Sequence, residues 1–194
     1  MRYMVFMLVF VLFFVACPTE DEILIETKAW ESKDGFIQFY TNDSKNYGKI
    51  FWTAYENVNA ANTYEIECKK MSGSEDWHYG MIFDVSLDLY TYHRIAITSD
   101  GYYSVYSQNG KDDEGTMQKS WIRSDKLNTG YDTLNSIKVT KSGTTYTVFL
   151  NDAQVFEFTS SITGGNRIGY FAIVGSEEDE DFPNNPVDVR FRQK

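Results

Sequence analysis

Residues 135–158 have the sequence NSIKVTKSGTTYTVFLNDAQVFEF, in which three short segments are separated by two polar turns. The segments run from Ser136 to Lys141, from Thr145 to Leu150 and from Gln154 to Phe158. Apolar residues recur in them at alternate positions, which is typical of β-strands and differs from the helical period of about 3.6 residues. The turns contain Ser142-Gly143 and Asn151-Asp152, residue types that favour tight hairpins. This stretch therefore predicts three antiparallel strands.

The same period-two pattern continues from about Gly35 to the end of the chain. No stretch has a sustained helical period with caps at both ends. Because each short strand has an apolar face to bury, the pattern favours an all-β sandwich of two antiparallel sheets. The other predicted strands are Phe36 to Tyr40, Lys49 to Ala54, Thr63 to Lys70, Tyr79 to Val85, Tyr92 to Thr98, Tyr102 to Ser107, Arg167 to Val174 and Val187 to Arg192.

Length and charge limit the classes of function. The 194 residues contain 18 Lys and Arg against 28 Asp and Glu, with a formal net charge of -10. A chain of this length is enough for one domain with a hydrophobic core. An acidic chain without a basic stripe is unsuited to binding phosphate backbones, so nucleic acid is excluded as a partner.

The N-terminus has the features of a secretion signal. Arg2 precedes an apolar run from Tyr3 to Ala16, which is too short for a comfortable membrane span of about 20 residues and suits a signal peptide. The run ends in Phe14-Val15-Ala16-Cys17, which resembles a bacterial lipobox with Phe14 in place of the usual Leu. The resemblance implies that Cys17 is lipidated. Two alternatives stay open, an incidental cysteine in an ordinary signal peptide and an uncleaved anchor.

These signals predict the organisation of the chain. Residues 1–16 are predicted to be a lipoprotein signal peptide, residues 17–34 the lipidated Cys17 with an acidic tether, and residues 35–194 the sandwich. Acyl chains on Cys17 would hold the domain on membrane lipid by about 0.8 kcal/mol per buried methylene. The expected location is the cell envelope, at the outer membrane.

The order of several motifs resembles the concanavalin A-like jelly roll. The motifs are a strand from Thr63 to Lys70 before Tyr79-Gly80-Met81-Ile82-Phe83, a hairpin from Gly143 to Asn151, and a closing Arg167-Ile168-Gly169-Tyr170-Phe171 strand. The resemblance implies a jelly-roll sandwich over roughly residues 26–193. It implies no single activity, because lectins, glycosidases and adhesion modules share this architecture.

The residues do not favour an enzyme. A glycosidase needs two carboxylates beside the scissile bond, and the nearest approach is Glu65 and Glu67, with Lys69 where the family's catalytic strand has a third acid. The chain has no nucleophile-elbow or zinc-protease motif. His93 is predicted to be a structural or surface residue, and Cys68 a buried small hydrophobe. No catalytic residue is therefore assigned.

Aromatic residues are the main candidates for ligand contact. The chain has 14 Tyr, 14 Phe and four Trp, and exposed rings stack on sugars or anchor protein interfaces. Trp77 and Trp121 border turn-like or polar segments, so their rings are expected to be exposed. The predicted partner or glycan contacts are Trp77, His78, Tyr79, Trp121 (which follows a predicted polar loop, Asn109 to Ser120) and Tyr103.

One acidic loop is a candidate cation site. Five successive carboxylates repel one another unless solvent or a hard cation such as calcium neutralises them. A solvated loop and a calcium site both stay open, and calcium is the only cofactor that the sequence suggests. The residues concerned are Glu177, Glu178, Asp179, Glu180 and Asp181.

The sequence thus predicts a non-catalytic binding or accessory module on a membrane-anchored surface lipoprotein. Its partner is expected to be an envelope protein or a glycan. One alternative is an accessory subunit of a surface protease complex. Another is a lectin-like glycan-binding module or an atypical glycoside hydrolase.

Overall fold

The computed structural model describes residues 30–59, 61–86, 90–162, 165–175 and 182–194. These residues form thirteen β-strands and one short 3₁₀ turn at Ser44–Asn46. The strands are β1 (Trp30–Lys33), β2 (Phe36–Thr41), β3 (Ile50–Glu56), β4 (Thr63–Ser72), β5 (Tyr79–Ser86), β6 (Thr91–Ile97), β7 (Tyr102–Asn109), β8 (Thr116–Arg123), β9 (Asn135–Ser142), β10 (Thr145–Leu150), β11 (Ala153–Thr159), β12 (Arg167–Ile173) and β13 (Val187–Gln193).

The strands form two antiparallel sheets. A seven-stranded sheet has the order β1-β2-β13-β4-β9-β10-β11, and a six-stranded sheet has the order β3-β12-β5-β6-β7-β8. The last two strands lie inside the sheets, since β13 separates β2 from β4 and β12 separates β3 from β5. The predicted all-β sandwich and the β9-β10-β11 hairpins are confirmed, with Val148 opposite Val139 and Phe156.

Period-two alternation places one face of each sheet in a shared core. In β4, Tyr64, Ile66 and Cys68 are buried, whereas Glu65 and Glu67 are on the other face and partly exposed. The opposing sheet contributes alternate residues of β5, β6 and β12. Burial raises the pKa of the Cys68 thiol, which agrees with the prediction that this cysteine is a small core hydrophobe.

Two strands were not predicted. Trp30–Lys33, within the segment 17–34 assigned to the tether, pairs with β2, and the Trp30 ring lies 5.1 Å from that of Phe39. Thr116–Arg123 pairs with β7 where a polar loop was predicted up to Ser120. Both are edge strands with mostly exposed side chains, so they lack the alternating apolar face that identifies a half-buried strand.

A polar cluster lies between the sheets. Asp84 Oδ2 accepts hydrogen bonds from Lys141 Nζ and from the Tyr146 hydroxyl, each at 2.6 Å. His93 Nδ1 lies 2.7 Å from Ser107 Oγ, and both residues are fully buried. The structural role predicted for His93 is therefore consistent with its position inside the sandwich.

The N-terminal predictions lie outside the described residues. The signal peptide and Cys17 belong to the segment before Trp30. Among the residues that the structure describes, no helix has the length and apolar character needed to span a membrane.

Candidate binding face on the six-stranded sheet

The six-stranded sheet has a second apolar cluster on its outer face, away from the core. Residues opposite one another in neighbouring strands share a face of the sheet. Register pairs Phe171 with Trp52 and with Gly80, and Arg94 with Ile82 and Tyr106. Phe171 is fully buried although it faces away from the core between the sheets. Other large side chains on the outer face of the sheet therefore cover Phe171.

Rings and one guanidinium follow one another across this outer face. The His78 ring centroid lies 5.0 Å from that of Trp121 and 6.2 Å from that of Phe171. The Arg94 guanidinium lies 5.3 Å from the Phe171 ring centroid and 4.8 Å from that of Tyr106. We call this row the aromatic band; its members are Trp121, His78, Phe171, Arg94, Tyr106 and Tyr92, the last at 6.4 Å from Tyr106.

One end of the aromatic band borders a pocket of about 280 Å³, which we call the Trp121 pocket. Two of its rings are open to solvent, since Trp121 is 42% exposed and Tyr102 is 38% exposed. Asp76 accepts a hydrogen bond from Ser74 Oγ at 2.7 Å, and Asp100 accepts one from the Thr98 hydroxyl. The lining residues are Asp76, His78, Thr98, Asp100, Tyr102 and Trp121.

The segment that carries Asp76 and His78 is held by a buried lysine. Lys70 Nζ donates to the carbonyl oxygens of Trp77, at 2.9 Å, and of Ser74. The backbone N–H of Ile173 donates to the His78 carbonyl at 3.0 Å. Because both ends of this short segment are bonded to neighbouring strands, the pocket wall is organised before any ligand arrives.

His78 is uncharged at neutral pH. Burial lowers the pKa of His78 to about 3, and the positive charges of Arg94 and Lys70 lower it further against a smaller opposite effect of Asp76. A neutral imidazole can donate through one ring nitrogen and accept through the other. The pocket thus combines carboxylates, hydroxyls and a neutral imidazole with flat rings.

The structure brings together two of the predicted contacts, His78 and Trp121. It corrects the other three, which are buried in the core between the sheets. Trp77 is 8% exposed and packs edge-on against Phe182 at 5.5 Å; Tyr79 is 1% exposed. Tyr103 is 4% exposed, and its hydroxyl donates to the Val155 carbonyl. In each case the fold covers the aromatic face that had been expected to meet solvent.

Several residues of this face were not singled out from the sequence. Asp76, Asp100 and Thr98 lie just outside the strands, and Arg94 lies opposite Tyr106 only once β6 pairs with β7. A polar turn that follows an apolar strand is a signal that could have indicated Asp100 and Tyr102.

The acids considered for catalysis lie elsewhere. Glu65 is on the seven-stranded sheet and pairs with Lys194 Nζ at 3.1 Å, while Glu67 accepts from Arg192 Nε at 2.7 Å. Within strands β5, β6 and β7 the acid is Asp84, which faces Lys141 between the sheets. Glu65 and Glu67 therefore form no pair on the face that carries the Trp121 pocket.

The described residues contain no group of three or more His, Cys, Asp or Glu side chains arranged to hold a metal ion. The acidic loop from Glu177 to Asp181 lies outside the described residues. Calcium at that loop stays a prediction.

Comparison with solved structures identifies the architecture. The carbohydrate binding module CBM66 from Bacillus subtilis has a TM-score of 0.58 and 10% identity, covering 84% of this chain and 87% of that one. A Bacillus licheniformis beta-glucanase has a TM-score of 0.57 and 10% identity, covering 86% and 81%.

A glycoside hydrolase family 16 endo-glucanase from Bacteroides ovatus has a TM-score of 0.57 and 10% identity, covering 87% of this chain and 86% of that one. No protein-family model and no curated protein matches the sequence. Identity at this level establishes the fold alone. With its two antiparallel sheets, the described chain is therefore a concanavalin A-like jelly-roll β-sandwich.

Proposed function

We propose that this chain is a non-catalytic glycan-binding module of a lipid-anchored envelope lipoprotein. The observation that carries the proposal is the Trp121 pocket, where the exposed rings of Trp121 and Tyr102 lie beside the carboxylates of Asp76 and Asp100. Flat rings stack on the apolar faces of sugars, and carboxylates accept hydrogen bonds from hydroxyls.

The size of the pocket suits one or two sugar rings. Its volume of about 280 Å³ is near the lower limit of about 300 Å³ for small-molecule sites. A shallow site of this kind binds the end or a short section of a glycan. The CBM66 carbohydrate binding module and the glucanases support this proposal, because they use the same architecture.

The proposal assigns no catalytic role to the outer face. Hydrolysis with retention needs two carboxyl groups about 5 to 5.5 Å apart on either side of the bond. The described strands β6 and β7 place Arg94, Ala96, Ser104 and Tyr106 on the outer face, and none of these is an acid. The middle of the outer face therefore has no carboxylate pair. The two acids of the Trp121 pocket, Asp76 and Asp100, each accept a hydrogen bond from a neighbouring hydroxyl, of Ser74 and of Thr98. The proposal assigns these two acids to the binding of sugar hydroxyls.

The test is binding of the full chain, purified in detergent, to an array of glycans, followed by calorimetry on those retained. Trp121→Ala is expected to weaken binding by about tenfold or more, because truncation of an aromatic anchor costs about 2 kcal/mol. Ile122→Ala is the matched control. Its side chain is equally exposed at 43% but lies on the other face of β8. Equal affinities for W121A and wild type would overturn the proposal.

The anchor needs a separate test. Cys17 is proposed to carry the acyl chains that hold the protein at the outer membrane, as its Ala16-Cys17 context suggests. Cells labelled with radioactive palmitate are expected to incorporate label into the wild-type protein and not into Cys17→Ser. Equal labelling of both proteins, or none in either, would exclude lipidation at Cys17.

A protein partner is the second candidate. Strand β8 is the edge of the six-stranded sheet, and Met117, Trp121 and Ile122 on it are 42–48% exposed. Exposed apolar groups on an edge strand are typical of interfaces. Under this alternative, as in an accessory subunit of an envelope protease, affinity purification from native membranes would recover a stoichiometric protein that Ile122→Asp loses.

A further inference from the structure

Arg94 occupies an unusual environment within the aromatic band. It extends from β6 between Ile82 and Tyr106, and its guanidinium contacts the rings of Phe171 and Tyr106. Its Nε is buried and has no hydrogen-bond partner. A buried donor without a partner costs free energy, so this arrangement is one that a ligand can improve.

Three other arginines of the described chain have acidic partners, whereas the exposed Arg123 at the end of β8, like Arg94, is in no ion pair. Arg167 Nε lies 3.1 Å from Glu56, Arg190 Nε lies 3.6 Å from Asp188, and Arg192 pairs with Glu67. Among the described residues, no carboxylate lies within 4.0 Å of the Arg94 guanidinium. Arg94 thus keeps a positive charge without an ion-pair partner in the middle of this face of an acidic protein.

The shape of the group indicates what it binds. A guanidinium presents its N–H donors as a planar fork that matches the two oxygens of a carboxylate or a sulfate, and aromatic contacts hold that plane in position. The end of the aromatic band that borders the Trp121 pocket has the carboxylates of Asp76 and Asp100. These carboxylates repel anions. The middle of the face therefore has the positive charge of Arg94, while the end with the Trp121 pocket has two acids and, opposite Tyr102, the exposed Arg123.

We infer that Arg94 binds the anionic group of an acidic sugar residue while the Trp121 pocket binds an uncharged residue of the same glycan. Thr98, which lines the Trp121 pocket, follows Arg94 by four residues along the direction of β6. At the rise of a strand, this separation is about 13 Å. This separation requires an oligosaccharide that spans both positions. The inference rests on the proposed function and adds the ligand's chemical class.

The test compares glycans that differ in their anionic group. The probes are oligogalacturonate and its methyl ester, sialyllactose and lactose, and sulfated and unsulfated agarose oligosaccharides. In calorimetry, the full chain is expected to bind an acidic member about thirtyfold more tightly than its neutral counterpart, since a buried charge pair is worth 2 kcal/mol or more. The preference should fall as salt is added.

Variants assign the preference to Arg94. Arg94→Gln should abolish the preference, and its far-UV circular dichroism and thermal midpoint report whether the fold is intact. Arg94→Lys keeps the positive charge but loses the planar set of N–H donors, so this variant should retain a reduced preference for the acidic glycan. The matched control Arg167→Gln removes the same charge from an ion-paired site on the same sheet face, and should keep the full preference.

The outcomes separate this inference from the proposed function. Binding of neutral glycans with no preference for acidic ones would overturn the inference and leave the proposed function standing. A preference that persists in R94Q, or disappears equally in R167Q, would also overturn it. No binding of any glycan in the array or the panel would overturn both. Preference confined to the sulfated or to the carboxylated pairs supports the inference and identifies the anionic group.

Discussion

Asp84 of β5 and Lys141 of β9 form an ion pair that joins the two sheets through the interior of the sandwich. Lys141 Nζ lies 2.6 Å from Asp84 Oδ2, and the side chains are 15% and 5% exposed. The Tyr146 hydroxyl donates to the same oxygen at 2.6 Å. Because the pair is desolvated and hydrogen-bonded, the loss of one partner leaves the other charge buried.

Asp84→Asn is therefore expected to destabilise the fold by about 3 kcal/mol, measured by urea denaturation at pH 7.5. Asparagine is the suitable replacement because Asp84 has a φ of 52°, a conformation that Asn tolerates. Asp152→Asn is the control, since Asp152 also has positive φ and pairs with a lysine, at 3.5 Å, but is exposed. A loss below 0.5 kcal/mol is expected there. Equal losses in both variants would contradict the prediction.

His93 is expected to make stability depend on pH. Burial lowers the pKa of His93 to about 4 from 6.5; the charge of Asp84 and a backbone hydrogen bond with Ile162 oppose this in part, and Lys141 adds a smaller lowering. The unfolded chain therefore binds a proton first, so the contribution of His93 is complete above pH 6.5 and is lost as pH falls toward 4. The loss amounts to about 3 kcal/mol.

Urea denaturation from pH 7.5 to 4 measures this loss. His93→Gln is expected to be less stable than wild type at pH 7.5 but to have a shallower pH dependence. The difference between the two slopes isolates His93 from the carboxylates, which titrate in both proteins. Parallel curves would show that His93 does not titrate in this window.

Gly80 is required where β5 meets β6. A Cβ at this position would lie 2.2 Å from the Ile95 carbonyl oxygen, which is backbone and cannot move aside. Gly80→Ala is expected to cost about 3 kcal/mol or more, seen as a lower thermal midpoint. In the control Gly143→Ala, nothing lies within 4 Å of the added Cβ and only the positive φ of 61° is strained, so the cost is about 1 kcal/mol. Comparable costs would argue against the steric explanation.

Lys70 is expected to couple stability to binding. Lys70→Met leaves the carbonyl oxygens of Ser74 and Trp77 without this donor, and each unsatisfied buried group costs about 1 to 3 kcal/mol. Hydrogen exchange should become faster in the segment 73–78, and binding at the Trp121 pocket should weaken. The control Lys69→Met removes a more exposed lysine that pairs with Asp132. Unchanged exchange in K70M would contradict the role given to Lys70.

Alternation was sufficient to predict the fold class and most strands, because a half-buried strand shows its period in the sequence. It failed at β1 and β8, whose exposed positions on the sheet edges leave no apolar face. The alternation also could not show which face of a strand lies in the core and which lies at the surface. Tyr103 and Tyr102 are neighbours in sequence, yet one is in the core and the other lines the Trp121 pocket.

The candidate site was only partly predictable for a related reason. Trp121 and His78 were identified as aromatic or polar residues near turns, and the fold places them 5.0 Å apart. Arg94 lies opposite Tyr106 only through the register of β6 with β7, and beside Phe171 only because β12 inserts next to β5. Such neighbours are set by long-range pairing, which local sequence does not contain.

The positions of β12 and β13 determine when the protein can fold during its synthesis. Until residues 167–193 have emerged from the ribosome, β2 and β4 lack β13 between them, and β3 and β5 lack β12. The chain then has four strand edges without neighbours, and pairing between distant segments is slow. Neither sheet can therefore be completed before residues 167–193 are available to pair. A premature stop codon before Arg167 would leave both sheets divided.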